Sequence, residues 1–326
     1  MKKILLAVIA LIMTAGAVSA QQYMYVWMKD GTHQSYPVSD LDSVGFYMPE
    51  NMGGNTGGIG VFSVSATKKV TFSKGNLQYQ ASTDTWRFAE NQWDIVGMGY
   101  GQTDPSEKIY CYVGGTVENG DNRNISSTYN GWIDLFGWGT GNAPINKSED
   151  NSDYSSFVDW GVNPISNGGN MANQWRTLTQ AEWGYLMSAR TGASNKYGAA
   201  KVNDITGVVI LPDDWTSAPA GCSFTPGMTS ASNWDDWSLV ASTNIYNGTQ
   251  WQAMEESGAV FLPAAGWRSG TSVQSTGLYG YYWSSVQYND PAFASDLYFR
   301  TEYLIPESNT YCFSGLSVRL VQDIQD

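Results

Sequence analysis

Only two stretches of this chain carry a helix-start signature, and the rest offers short strand-like runs parted by polar turns. Thr179-Gln180-Ala181-Glu182 has the spacing of a capping box, with Thr179 as N-cap and Glu182 reaching back; Trp183, Leu186, Met187 and Arg190 follow at helical spacing. Thr249 and Gln252 repeat the pattern, with Trp251 and Met254 on the apolar face and a stop at Gly258. Before the helices lie the strand-like runs Val61–Ser65, Lys69–Phe72 and Leu77–Tyr79. After them come Ala259–Leu262, Tyr281–Val286, Asp296–Arg300 and Gly315–Val321. Strands that run on after helices, instead of alternating with them, indicate an α+β class.

The flanks divide the chain into segments. Met1–Ala20 has the form of a secretory signal: Lys2-Lys3, the apolar run Ile4–Met13, then small residues ending Val18-Ser19-Ala20. Export to the periplasm, cell surface or exterior is therefore expected. The apolar run is too short for a membrane span of roughly 20 residues, and no membrane span is expected elsewhere. Residues 21–48 alternate apolar and polar side chains around Asp30-Gly31, the pattern of a small β-hairpin module. Such a hairpin is marginal by itself, so it packs on something or serves as an attachment element. Residues 49–60, rich in Gly and Asn, read as a flexible linker, and residues 61–326 form the main domain. Inside that domain Gly97–Asp104, Glu118–Asn130 and Gly139–Ser156 are loops of a length that implies function or stapling by other contacts.

Composition removes several chemistries. Charged residues are 14% of the chain against roughly 25% for an average soluble domain, whereas 20 Tyr and 14 Trp suit an aromatic-rich exported protein. The net charge of −13 disfavours nucleic acid as a partner, because phosphates need a basic face. His33 is the one histidine, so a multi-histidine zinc site cannot be assembled. Cys111, Cys222 and Cys312 lie far apart without a CxxC spacing; one disulfide is open to them, and three small packed side chains is the simpler reading. No cofactor is signalled, although loop carboxylates such as Asp235-Asp236 or Asp150 and Asp153 leave calcium open.

Several segments together resemble a known family. Trp175-Arg176-Thr177-Leu178-Thr179-Gln180-Ala181-Glu182-Trp183 is similar to the helix-start element of bacterial C-type-lectin-like and formylglycine-generating-enzyme-like domains. Residues 261–268 (FLPAAGWR), 280–285 (GYYWSS) and 315–321 (GLSVRLV), with 74–79 (KGNLQY) and 86–89 (WRFA), resemble the Fibrobacter succinogenes major paralogous domain family over about residues 61–321. Tyr25–Phe46 is similar to an N-terminal hairpin of many secreted Bacteroidota proteins. The resemblance implies a C-type-lectin-like fold with two helices, a mixed twisted sheet and long loops converging on one face. The oxidase branch of that superfamily uses a cysteine pair near the C-terminus, where this chain has Cys312 alone. The calcium motifs of sugar-binding animal lectins are missing too.

Residues 282–321 also resemble the variable region of proteins diversified by retroelements, in which a lectin-like scaffold displays changing residues between fixed strands. That resemblance makes Val286, Gln287, Tyr288, Asn289, Ala292, Phe293, Arg300, Glu302, Tyr303, Tyr311, Cys312 and Phe313 display positions. Tyrosine and asparagine suit such a surface, since they give rigid aromatic area and adaptable hydrogen bonds. Tyr281, Tyr282 and Tyr298 would add contact area. Arg319 in the last strand is expected to be satisfied by a buried carboxylate or by carbonyls, and Trp283-Ser284-Ser285 to be a core tryptophan followed by hydroxyls that cap local backbone. The leading expectation is a non-enzymatic binding protein for a protein or carbohydrate ligand. A structural component of a surface assembly, held by the N-terminal module, is the alternative; a hydrolase using paired carboxylates is the third reading.

Overall fold

The computed structural model describes residues 23–27, 33–38, 60–96, 122, 124–228, 243–300 and 302–324. The expected leader, most of the linker, Cys111 and Asp235-Asp236 lie outside the described residues. The protein is α+β and divides into two compact units between Asn51 and Met52. In the first, β1 (Tyr23–Trp27) and β2 (His33–Pro37) pair antiparallel, from Tyr23 opposite Pro37 to Trp27 opposite His33.

The second unit opens with β3 (Phe62–Ser63), β4 (Lys69–Phe72), β5 (Leu77–Gln80) and β6 (Thr85–Phe88). The expected strand Val61–Ser65 is cut to two residues because Val64 and Ser65 already donate to the Lys68 carbonyl and turn the chain. In β6 the alternation works as written: Trp86 and Phe88 are buried, and Thr85 and Arg87 are half-exposed. The loop Gly139–Ser156 is stapled, with Tyr154 buried and its hydroxyl donating to the Ser148 carbonyl at 2.8 Å.

α1 (Gln180–Gly184) starts as expected, with both halves of the capping box formed. The Glu182 backbone N–H donates to Thr179 Oγ1 at 3.2 Å, and the Thr179 N–H donates to Glu182 Oε2 at 2.9 Å. The helix then widens into a π turn over Tyr185–Ala189, which keeps Trp183, Leu186 and Met187 facing the core. Arg176 fixes this start by a two-pronged ion pair to Glu182, at 2.7 and 2.9 Å, while also reaching Asp323. Next come β7 (Tyr197–Val202) and β8 (Ile205–Ile210), joined by Asn203 and Asp204, both at positive φ, a tight turn whose twist suits a hairpin.

β9 (Ile245–Tyr246) runs parallel to β7, so this sheet, ordered β10-β8-β7-β9 with β10 at Val260–Pro263, is mixed. Between β9 and β10 lies α2 (Gly248–Glu256). Its cap is not Thr249 but Asn247, two residues earlier: Asn247 Oδ1 accepts from the Gln250 N–H at 2.9 Å, and Gln250 Oε1 accepts from the Asn247 N–H at 3.1 Å. Trp251 and Met254 are buried as the spacing requires, and Gly258 ends the turn at φ +85°. Asn247→Ala is expected to cost about 1 kcal/mol in urea unfolding while Thr249→Ala stays within ~0.5 kcal/mol; equal costs would place the cap at Thr249 after all.

The last third holds β11 (Trp267–Ser269), β12 (Ser272–Gln274), β13 (Gly280–Gln287), β14 (Phe293–Arg300), β15 (Tyr303–Tyr311) and β16 (Val321–Asp323). β13, β14 and β15 form an antiparallel three-stranded sheet. The expected strand Gly315–Val321 is a strand only at its end. Gly315, Leu316 and Ser317 bridge to Arg268, Phe136 and Tyr282 in turn, three different neighbours, so no ladder propagates. Among the described residues strand pairing is thus spread over six small sheets and not gathered into one. Among the described residues no helix is long and apolar enough to cross a membrane.

Candidate functional site

The β13–β15 sheet has two unlike faces. Tyr282, Leu297 and Phe299 point to the core shared with Trp183 and Leu186 of α1. Tyr281, Trp283, Asp296 and Tyr298 occupy the opposite face, Tyr281 across from Tyr298 and Trp283 across from Asp296. Trp283 is buried, and its Nε1–H donates to the Phe136 carbonyl at 2.6 Å. The Trp138 ring N–H donates to the Ser284 carbonyl at 3.0 Å, and Ser284 Oγ accepts from the Val286 N–H at 3.2 Å. The Trp-Ser-Ser run is therefore a structural lock that ties β13, an outer strand of the sheet, to the core beneath it.

This arrangement corrects part of the sequence expectation. Tyr282 is 0% exposed; its hydroxyl donates to the Pro263 carbonyl at 2.8 Å and accepts from Asn76 Nδ2 at 3.2 Å, so it is a core residue with no free face. Cys312 is buried as well, with a thiol pushed up to about 12 by burial, and both Cys222 and Cys312 are free thiols. The remaining positions do not converge on one patch. Val286, Gln287, Tyr288, Asn289, Ala292, Phe293, Tyr311 and Phe313 gather at the β13–β14 turn, whereas Arg300, Glu302 and Tyr303 gather at the β14–β15 turn. Phe293 and Arg300 bound β14 from opposite ends, roughly 23 Å apart at the rise of an extended strand.

The first end is an aromatic ladder. Phe293 stacks on Tyr311 with ring centres 4.4 Å apart, and Tyr311 on Phe313 at 5.3 Å and 13°. Tyr311 is 47% exposed and Tyr288 42%. At the far end the Arg300 guanidinium lies over the Tyr303 ring at 4.9 Å.

Beside the ladder opens a cleft of about 380 Å³ that the sequence did not point to. Trp267, Tyr279, Tyr281 and Tyr311 give it aromatic walls, Gln274 and Thr310 are among its polar groups, and among the described residues its lining holds no charged side chain. Tyr279, Tyr281 and Tyr298 pack mutually with ring centres 4.9 to 6.3 Å apart. Trp267 arrives on the β11–β12 hairpin, whose pairing of Trp267 with Gln274 sets both at the rim. A second cavity, about 280 Å³, lies among Phe72, Lys74, Trp175 and Glu255. The Gln92 amide on its wall is already committed to Arg319, Glu255 and the Phe261 N–H.

Asp296 sits on the same sheet face as the cleft. It is 0% exposed, and neither carboxylate oxygen has a hydrogen-bond partner of ordinary geometry. Burial pushes its carboxyl up to about 7, against the opposing pull of the Thr310 and Ser308 hydroxyls. Burial likewise raises the Tyr281 phenol, and lifts Tyr298 to about 12. Arg319 is held by carbonyls and not by a carboxylate: its two terminal nitrogens donate to Gln92 Oε1 at 2.9 Å, to the Lys74 carbonyl at 3.3 Å and to Asn76 Oδ1 at 3.4 Å, while its buried Nε–H has no partner among the described residues. Arg268 is held the same way by the Gly270, Leu135 and Asn146 carbonyls, and burial pulls both guanidiniums down to about 10. Asp150, one of the loop carboxylates open to calcium, instead caps a 3-10 turn by accepting from the Ser152 N–H at 2.9 Å. Among the described residues no cluster of three or more His, Cys, Asp or Glu is placed to hold a metal.

Comparison with known families bears on this region. A family model described as a domain of unknown function (DUF8237) matches residues 238–321. The matched segment spans α2, the two hairpins that carry Trp267 and Phe293, and the whole three-stranded sheet. No curated protein and no solved structure matches the chain.

Proposed function

We propose that this chain is an exported, non-enzymatic binding protein, its main domain a C-type-lectin-like scaffold that presents an aromatic and polar face to a protein or carbohydrate ligand. The observation that carries the reading is the ladder Phe293–Tyr311–Phe313 at the β13–β14 turn, its central Tyr311 exposed between two half-buried rings, beside an aromatic cleft. Stacked rings at a surface are preorganised: they lose little side-chain entropy on contact and offer flat faces to sugars and proteins alike. Export is supported by the form of Met1–Ala20, and the lectin-like scaffold by the Thr179–Glu182 helix start, the Trp-Ser-Ser lock and the buried Arg319 just ahead of β16. Display of changing residues by a retroelement belongs to the same reading, with the β13–β14 turn as its centre. A role in a surface assembly, anchored through the β1–β2 hairpin, is favoured by one observation: that hairpin is a compact unit of its own and needs a partner to be stable.

The test is a glycan and protein panel probed with the full exported chain and with Tyr288→Ser/Tyr311→Ser. Tyr288 is exposed, and Tyr311 is half-exposed but stacked on two rings, so the variant is expected to stay folded with about 1–2 kcal/mol less stability and to lose its panel signals by tenfold or more. Signals unchanged in the variant would remove the ladder from the binding face.

A further inference from the structure

The buried Asp296 carboxyl is unexplained by the binding face described so far. It lies on the central strand of the sheet, between two residues that line the cleft: Tyr281 is across from Tyr298, the next residue on that face, and Thr310 is across from Ala294, the one before. Cross-strand diagonal neighbours of this kind lie about 7 Å apart, so the carboxyl sits behind the cleft wall, outside its lining, with its charge felt at the Tyr281 phenol. Among the described residues it takes part in no ion pair, and its nearest polar partners are the Ser308 and Thr310 hydroxyls, neither at ordinary hydrogen-bond geometry. A buried acid held only by neutral hydroxyls costs stability when it ionises, and an opposite charge arriving from outside would offset that cost.

The lining of this cleft favours a positive guest. The aromatic ring faces of Trp267, Tyr279, Tyr281 and Tyr311 carry negative quadrupoles. Among the described residues no basic side chain lines the cleft; the Arg300 guanidinium lies over the Tyr303 ring, on the sheet face of Asp296, where its charge opposes that of Asp296 at the Tyr281 and Tyr298 phenols. The net charge of −13 adds a long-range field of the same sign.

We propose that the cleft walled by Trp267, Tyr279, Tyr281 and Tyr311 and backed by Asp296 binds an organic ammonium group, the rings enclosing the cation and the carboxylate supplying its counter-charge. This deepens the proposed binding function by naming a ligand chemistry, and it rests on that reading only in taking the cleft as open to ligands. The same chemistry could come from a quaternary head group or from a lysine side chain of a partner, and two probes separate them.

The experiment uses saturation-transfer NMR on the full chain at pH 8, with tetramethylammonium and n-butylammonium as probes and tert-butanol as the neutral match in shape. Saturable transfer to an ammonium probe is expected, with tert-butanol weaker by about tenfold. Tighter tetramethylammonium points to a quaternary ligand, tighter n-butylammonium to a lysine side chain. Asp296→Asn is expected to weaken ammonium binding by about tenfold, and Trp267→Leu, a second route if Asp296→Asn fails to fold, to weaken it to a similar degree. Equal binding of tert-butanol, no saturable transfer from either ammonium, or undiminished affinity in a folded variant would each overturn the proposal. Met171→Ser, at an exposed position that lines neither cavity, is expected to leave ammonium binding unchanged. Loss of panel signals with retained ammonium binding, or the reverse, therefore tells which of the two readings has failed.

Discussion

Trp283→Ala is expected to destabilise the main domain by roughly 3–5 kcal/mol, enough to unfold much of a domain of ordinary stability. The side chain is fully packed in the cluster that includes Phe136, Trp160, Leu316 and Val318, and alanine would leave a cavity there. Two further losses add to the cavity. The Phe136 carbonyl loses the indole N–H that satisfies it at 2.6 Å, and a shift of the backbone at 283 would disturb its bonds to the Ser317 carbonyl and the Trp183 ring. Urea unfolding followed by near-UV circular dichroism measures it. A cost below about 1 kcal/mol would mean that the strand does not anchor the sheet.

The second large effect is a pH dependence of stability. Asp296 titrates near 7 in the folded protein against 3.8 as its ordinary value, so the native state holds a proton that the unfolded chain releases. Between those values stability falls as pH rises, and above the folded value it levels off, having lost about 4 kcal/mol from this group alone. Below about pH 4 the contribution is fully present, because both states are protonated. Asp296→Asn is expected to flatten the curve and to be the more stable protein at pH 8 by about 1–3 kcal/mol, the gain being trimmed by an amide buried without partners. Unfolding midpoints of both proteins from pH 4 to 8 measure it. Parallel curves would show that Asp296 is not the group that titrates.

Where local chemistry decides, the sequence is a sound guide. The Thr179 cap, the buried faces of both helices, the Gly258 stop and the core role of Trp283 all follow from spacing that a reader can see. The cap of α2 is misplaced because Asn247 with Gln250 and Thr249 with Gln252 present the same signature two residues apart. The β7–β8 hairpin escapes notice for a different reason. It is covered on both sides, so its side chains run Ala, Val and Ile with little alternation to mark a strand. β15 is hidden by Pro306, Ser308 and Asn309, residues that an edge strand tolerates and a central strand rejects.

The site was legible as a region and not as a constellation. Tyr281 and Tyr282 look alike in sequence, and only the register of β13 sends one to the cleft and the other to the core. The twelve-position display set is split by the length of β14, a distance that a list of residues does not reveal. Asp296 reads as an ordinary polar residue of a strand. Its burial depends on Tyr281, Tyr298 and β15 closing over it, all of them contacts across strands.

The central claim is that ligand meets the β13–β14 end of the sheet and not the β14–β15 end. Tyr288→Ser/Tyr311→Ser and Tyr303→Ser carry comparable, exposed changes at the two ends, and the decisive measurement is their panel binding side by side with the wild type. The account predicts that the first variant loses its signals and that Tyr303→Ser keeps them. Loss in Tyr303→Ser with retention in Tyr288→Ser/Tyr311→Ser would contradict it and move the binding face to the opposite end of the sheet.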